Sequence, residues 1–145
     1  MKGCYRFLRT RGGKCSFARV WVDVQPGGQI LDVRDALPEQ VDREAGEVNR
    51  GSAPTWVVAA LEGIRATLVH AQQGGILATG GRAILCKLVG SVIDTREDAI
   101  RCAAGLALWD ALGSPPCAPE AEFDGQCWKL VFPACAGSTA QGTLP

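Results

Sequence analysis

The clearest signal along the chain is alternation. From Phe17 to Val24, Ala18, Val20, Val22 and Val24 fall on one side, and Phe17, Arg19, Trp21 and Asp23 on the other. A period of two belongs to a strand with one face on the core. Tyr5–Arg9 is a shorter extended run before it. Between the two, Gly12-Gly13 can take the positive φ that a tight hairpin needs. "QPGG" marks the next turn and "QILDV" a third strand. Residues 36–52 are polar and charged, which predicts an extended connection with a strand around Gln40–Val48. Val57, Ala60, Leu61, Ile64 and Leu68 then recur at the spacing of one helical face. Pro54 suits the first turn of that helix, where its missing N–H has no intrahelical partner to lose. "QQGG" ends it, "GGILATGG" is a flexible loop, and "RAILCKLV", apolar on both faces, predicts a central strand. Asp94 and Glu97 have the spacing of a capping box. They open a second helix with a small-residue stripe of Ala99, Cys102, Ala103 and Leu106, stopped by Gly113 and Pro115-Pro116.

The order strand, strand, strand, helix, strand, helix predicts an α+β fold with both helices on one face of a sheet. Residues 1–113 make that domain. Residues 114–145 form a C-terminal extension whose strand-like run "CWKLVFP" is expected to fill a vacant sheet edge, ahead of a frayed "AGSTAQGTLP".

Composition narrows the functional classes. The chain has 145 residues, 47% hydrophobic and 21% charged, enough for a self-sufficient core. Lys+Arg and Asp+Glu both count 15, so attraction to a polyanion must come from a local patch. The seven cysteines are irregularly spaced, no C-x-x-C occurs, and His70 is the only histidine, so no metal centre is expected. Reduced thiols, no signal-like N-terminus and no membrane-length apolar run predict a cytoplasmic protein without a membrane partner. Ser91, Asp94 and Thr95 lack a neighbouring base and are expected to cap a helix rather than catalyse. His70, near a helix C-terminus, is expected to be a surface residue favoured by the helix dipole rather than a catalyst. No acid–base–nucleophile set is visible, so no enzymatic activity and no cofactor are expected.

Several segments, taken in order, resemble domain IV of elongation factor G. "RTRGGKCSFARVWVDV" matches the family's R-Q-S-G-G-R-G-Q-Y-G signature and following strand, with Arg9, Gly12, Gly13, Lys14, Phe17 and Asp23 in register. Gly51, Ser52 and Pro54 resemble the G-G-S-I-P that opens its first helix, and Ala60, Gly63 and Ile64 match within it. Asp94, Glu97 and Ala99 resemble the D-S-S-E-x-A-F of its second helix. The likeness runs from about Arg6 to Leu112. It implies the fold of the second domain of ribosomal protein S5: a two-layer sandwich with a four-stranded mixed sheet, two helices on one face and a left-handed βαβ crossover. It also implies a tip, built from the Gly-Gly bend and a second loop, that enters the decoding region of the small ribosomal subunit.

The chain departs from the family in three ways. Leu8 and Cys15 stand where a Walker A loop around Gly13-Lys14 would need glycine and Ser/Thr, so no nucleotide is expected to bind there and no GTPase-driven translocation is expected. The second tip loop, "VGSVID", carries Val92 and Ile93 where the family has a histidine. The family's opening strand has no counterpart.

The expected RNA-binding set is Arg9, Arg11, Gly12, Gly13, Lys14, Phe17 and Arg19: cations for phosphates, glycines for close backbone approach, and Phe17 to stack on a base. The first function class is a stand-alone domain IV-like protein that contacts ribosomal RNA or the small subunit. The second is a non-enzymatic interaction or structural module that keeps the fold without the RNA role, a homodimer through the sheet face bearing Phe17 and Trp21.

Overall fold

A computed structural model describes residues 1–39, 46–49, 51–77 and 79–134. Strands β1 (Lys2–Arg11) and β2 (Lys14–Pro26) form a long antiparallel hairpin, with Arg11 opposite Lys14 at its closed end. Strand β3 (Leu31–Asp35) leads by way of helix α1 (Pro54–Gln73) to strand β4 (Gly81–Val89), which lies parallel to β3 and antiparallel to β2. The sheet order is therefore β1-β2-β4-β3, a mixed four-stranded layer. Helix α2 (Glu97–Ala111) packs on β1 and β2, while α1 packs on β3, β4 and α2. The result is an α+β two-layer sandwich.

The alternation along β2 has its physical consequence here. Ala18, Val20, Val22 and Val24 are buried under the helices, facing Leu85, Leu88 and Ala83 of β4. Where Trp21 pairs with Lys87 and Val22 with Leu85, Cys86 is an extra residue, a bulge that bends β4 locally. The first helix begins at Pro54 as its sequence predicts.

Glycine lets the two helices approach closely. A Cβ at Gly63 would collide with the Arg101 carbonyl, and one at Gly105 would stand 2.6 Å from Thr67 Oγ1. That hydroxyl is fully buried and has no hydrogen-bond partner. Thr67→Val removes the unsatisfied group at similar volume. It is expected to stabilise the protein by about 1 kcal/mol, read as a raised denaturation midpoint with an unchanged m-value.

Cys102, on the same helix as Gly105, is buried as well. Burial first, and then the Asp98 carboxylate, push its thiol up to about 12. The folded state thus holds this proton where the unfolded chain has lost it, so stability falls as pH rises from about 9 toward 12, by up to 1.4 kcal/mol per unit. Urea melts of wild type and Cys102→Ala at about pH 8 and pH 10 check this, with the difference between the two chains expected to shift against the wild type at the higher pH.

Two expectations are corrected. "CWKLVFP" does not join the main sheet. Strand β6 (Trp128–Val131) pairs with β5 (Glu120–Phe123) in a separate two-stranded hairpin. The cause is the apolar face of that hairpin, which packs on α2 and on β1: Trp128 is buried edge-on to Phe7 of β1, with ring centroids 5.4 Å apart, and Leu130 lies against Gly105 of α2. The capping box is also absent. Helix α2 has Arg96 at its N-cap without a side-chain bond. Thr95 Oγ1 instead accepts the Ser91 N–H and donates to the Phe17 carbonyl, each at 2.6 Å, tying the 91–95 loop to β2. Of the strand expected around Gln40–Val48, residues 40–45 lie outside the described residues, and Glu47 forms a single antiparallel bridge to Val89. The final "AGSTAQGTLP" also lies outside them.

The 113–119 loop is anchored by aromatic chemistry. Trp109 Nε1 donates to the Pro115 carbonyl at 2.8 Å, and His70 Nε2 lies 2.9 Å from the Cys117 carbonyl. His70 also stacks against Trp109 and Phe132, which gives it a packing role. Among the described residues no helix is long and apolar enough to cross a membrane.

Candidate functional site

The β1–β2 bend is a two-residue loop with Gly12 at φ 58 and Gly13 at φ 79. Positive φ at both central positions defines a type I′ turn, which glycine adopts without strain and whose twist suits the flanking strands. Nothing stands within 4 Å of a Cβ built at either glycine, so the bend projects into open space.

Three other segments converge beside it. The 91–96 loop is held by the Phe17 N–H, which donates to the Asp94 carbonyl at 3.0 Å. Helix α2 begins next to it. The turn between β5 and β6 closes the far side. Asp98 joins the last two: one carboxylate oxygen accepts the Ala99 N–H and the other the Trp128 N–H, both at 2.8 Å. Asp124 shapes the turn by accepting the N–H groups of Gln126 and Cys127 at 2.9 Å and pairing with Lys129 at 3.0 Å. Those two backbone bonds, followed by the Lys129 ammonium, hold its exposed carboxyl well below the usual carboxylate range.

Together these segments enclose a cleft of about 650 Å³ lined by both cations and aromatics. The Arg11 guanidinium lies 5.9 Å from the ring centroids of both Phe123 and Trp128. Lys14 and Arg96 complete the basic rim, and neither forms an ion pair among the described residues. Asp94 and Asp98 also line the cleft, but Asp98 is already engaged by backbone donors. No histidine lines it, and no group of three metal-ligating side chains occurs among the described residues. The arrangement offers positive charge, exposed glycine backbone and ring edges. Its chemistry is that of holding an anionic, partly aromatic ligand.

Of the residues singled out in the sequence, Arg11, Gly12, Gly13 and Lys14 meet at this cleft. Arg9 turns away from its mouth: its guanidinium donates to the Tyr5 hydroxyl at 2.9 Å and lies 4.8 Å from the Phe7 ring centroid. Phe17 and Arg19 are on the opposite side of the sheet, because strand alternation sends residues 16 and 18 toward the helices and 17 and 19 away. Arg96, Asp98, Phe123 and Trp128 were missed by sequence reasoning. A signal for the last two was present in "EAEFDGQCW", where Asp-Gly between extended runs marks a hairpin.

Asp98→Ala is expected to cost about 2 kcal/mol, because the Trp128 N–H loses its partner. It should raise amide exchange across β5 and β6 more than across β2, and Asp98→Asn should recover part of the loss.

The fold and cleft define an α+β two-layer sandwich with a basic hairpin tip. No family model matches the chain, and no curated protein does. Among solved structures, that of a protein from Thermus thermophilus is similar, with a TM-score of 0.54 at 19% identity. The similarity covers 78% of this chain and 16% of that one, so it shows a shared fold that forms a small part of the other protein.

Proposed function

We propose that these residues form an elongation factor G domain IV-like module that contacts RNA of the small ribosomal subunit through the Gly12-Gly13 tip. The observation that carries this reading is the rim of Arg11, Lys14 and Arg96, cations without ion pairs among the described residues, around a freely projecting glycine bend. The resemblance in sequence supports it by placing the same bend at the family's RNA-facing end. No hydrolytic step is part of the proposal. The module binds, with side-chain cations on phosphates and the glycine backbone close to the strand.

Co-sedimentation with small ribosomal subunits at about 50 and 200 mM monovalent salt tests the proposal, since binding through phosphates weakens steeply over that range. Binding at low salt that fades at high salt is the expected result. An absence of binding at either salt contradicts it.

A second reading has one observation in its favour. Val92 and Ile93, beside the basic bend, are 93% and 88% exposed. Such an apolar pair suits a protein contact, and therefore an interaction module without RNA. Val92→Ser/Ile93→Ser separates the two: it leaves RNA binding in place under the first reading and removes partner binding under the second.

A further inference from the structure

The sheet face turned away from the helices carries its own organised chemistry, and no described helix or strand covers it. Arg6 and Arg19 stand directly opposite each other across β1 and β2. Like charges in that position destabilise a sheet, and neither arginine has a carboxylate partner among the described residues. The Nε of Arg19 is buried without any hydrogen-bond partner. Aromatic rings hold these cations in place. Arg19 lies 4.6 Å and Lys87 4.7 Å from the Trp21 ring centroid, and Arg6 lies 6.0 Å from that of Phe17. The nearby acids, Asp23 and Glu47, are occupied: Asp23 pairs with the N-terminal ammonium and Glu47 with Lys87.

We infer that this face binds single-stranded RNA, with Arg6 and Arg19 taking backbone phosphates and the Phe17 and Trp21 rings holding the guanidiniums in position. A zero-net-charge chain that sets Arg6 and Arg19, without carboxylate partners among the described residues, side by side on one sheet face presents a local polyanion site. A guanidinium held near a ring can still offer N–H groups to phosphate and a flat face to a base. A second copy of the chain is a poor occupant, because it would set Arg6 and Arg19 against another arginine pair. A lipid surface is also a poor fit, since membrane insertion needs several projecting apolar side chains, whereas here Leu8 stands exposed opposite Phe17 and the two rings are half-buried. This site is separate from the hairpin tip and does not depend on it.

The test is fluorescence anisotropy of a labelled uridine dodecamer with the full chain at about 50 and 200 mM salt. Arg6→Glu replaces the like-charge pair with an opposite-charge pair, so the thermal midpoint is expected to stay level or rise. Its affinity for the dodecamer should fall at least tenfold, and its salt slope should flatten by about one. Arg65→Glu, on the exposed outer face of α1, is the control and should change dodecamer affinity less than threefold, and the tip variant Arg11→Glu/Lys14→Glu should lose less affinity than Arg6→Glu. Arg6→Glu binding as well as wild type overturns the inference. So does wild-type preference for phosphatidylserine vesicles over the dodecamer, or a wild-type dimer in sedimentation that masks the face. Loss in the tip variant alone overturns this site and leaves the tip proposal standing.

Discussion

Reversing Arg11 and Lys14 together to Glu is expected to weaken binding to small ribosomal subunits about a hundredfold, taking each charge-assisted contact at about 1.5 kcal/mol. The two side chains share the closed end of the β1–β2 hairpin and have no carboxylate partner among the described residues. Their replacement breaks no ion pair there and loses only the distant contacts of Arg11 with the Phe123 and Trp128 rings, so stability should fall by no more than about 1 kcal/mol. The dependence of affinity on salt should also flatten, by about one for each phosphate contact removed. A structural role for the two residues would give the reverse pattern, with a lowered melting midpoint and an unchanged salt slope. Arg9→Glu is the useful contrast. Arg9 is tied to Tyr5 and Phe7 away from the cleft mouth, so its reversal should cost stability more than binding.

A large effect on folding is expected at Gly63. A Cβ there would stand 2.9 Å from the Arg101 carbonyl carbon and closer still to its oxygen. Both belong to the backbone of α2 and cannot swing aside as a side chain would. In an isolated helix, Gly→Ala gains about 1 kcal/mol. Here, overpacking against a rigid neighbour costs about 1–3 kcal/mol or more, and α1 must shift away from α2. Gly63→Ala is therefore expected to destabilise the chain by about 2 kcal/mol net, and Gly63→Val to exceed that, both read by urea melts. Gly51→Ala, at a position with nothing within 4 Å, is the control and should be near neutral.

The two-layer fold was legible because its signals are local and redundant. Alternation fixed the buried side of β2, a single apolar stripe marked α1, and the Gly-Gly pair marked the bend. The site was legible only in its central part. Arg11, Gly12, Gly13 and Lys14 are neighbours along the chain and remain neighbours in space. Phe17 and Arg19 are neighbours in sequence too, but a period of two puts them across the sheet from the cleft. Phe123 and Trp128 reach the cleft from far along the chain through tertiary contacts, the Asp98 carboxylate on the Trp128 N–H among them. Such contacts leave no periodic trace. The same holds for α2, whose Asp94–Glu97 spacing suggested a cap while Thr95 took the loop's hydrogen bonds instead. "CWKLVFP" has the composition of a strand, but composition does not say which edge a strand will choose. Trp128 buried on Phe7 decided that.

The measurement that bears most directly on the tip is amide shift mapping of the isotope-labelled chain during titration with small-subunit RNA. Gly12, Gly13, Lys14 and Arg96 are expected to move together and saturate, while the exposed outer face of α1 around Val58 and Arg65 stays still. Unmoved glycine resonances at an RNA concentration that shifts other parts of the chain would contradict that expectation.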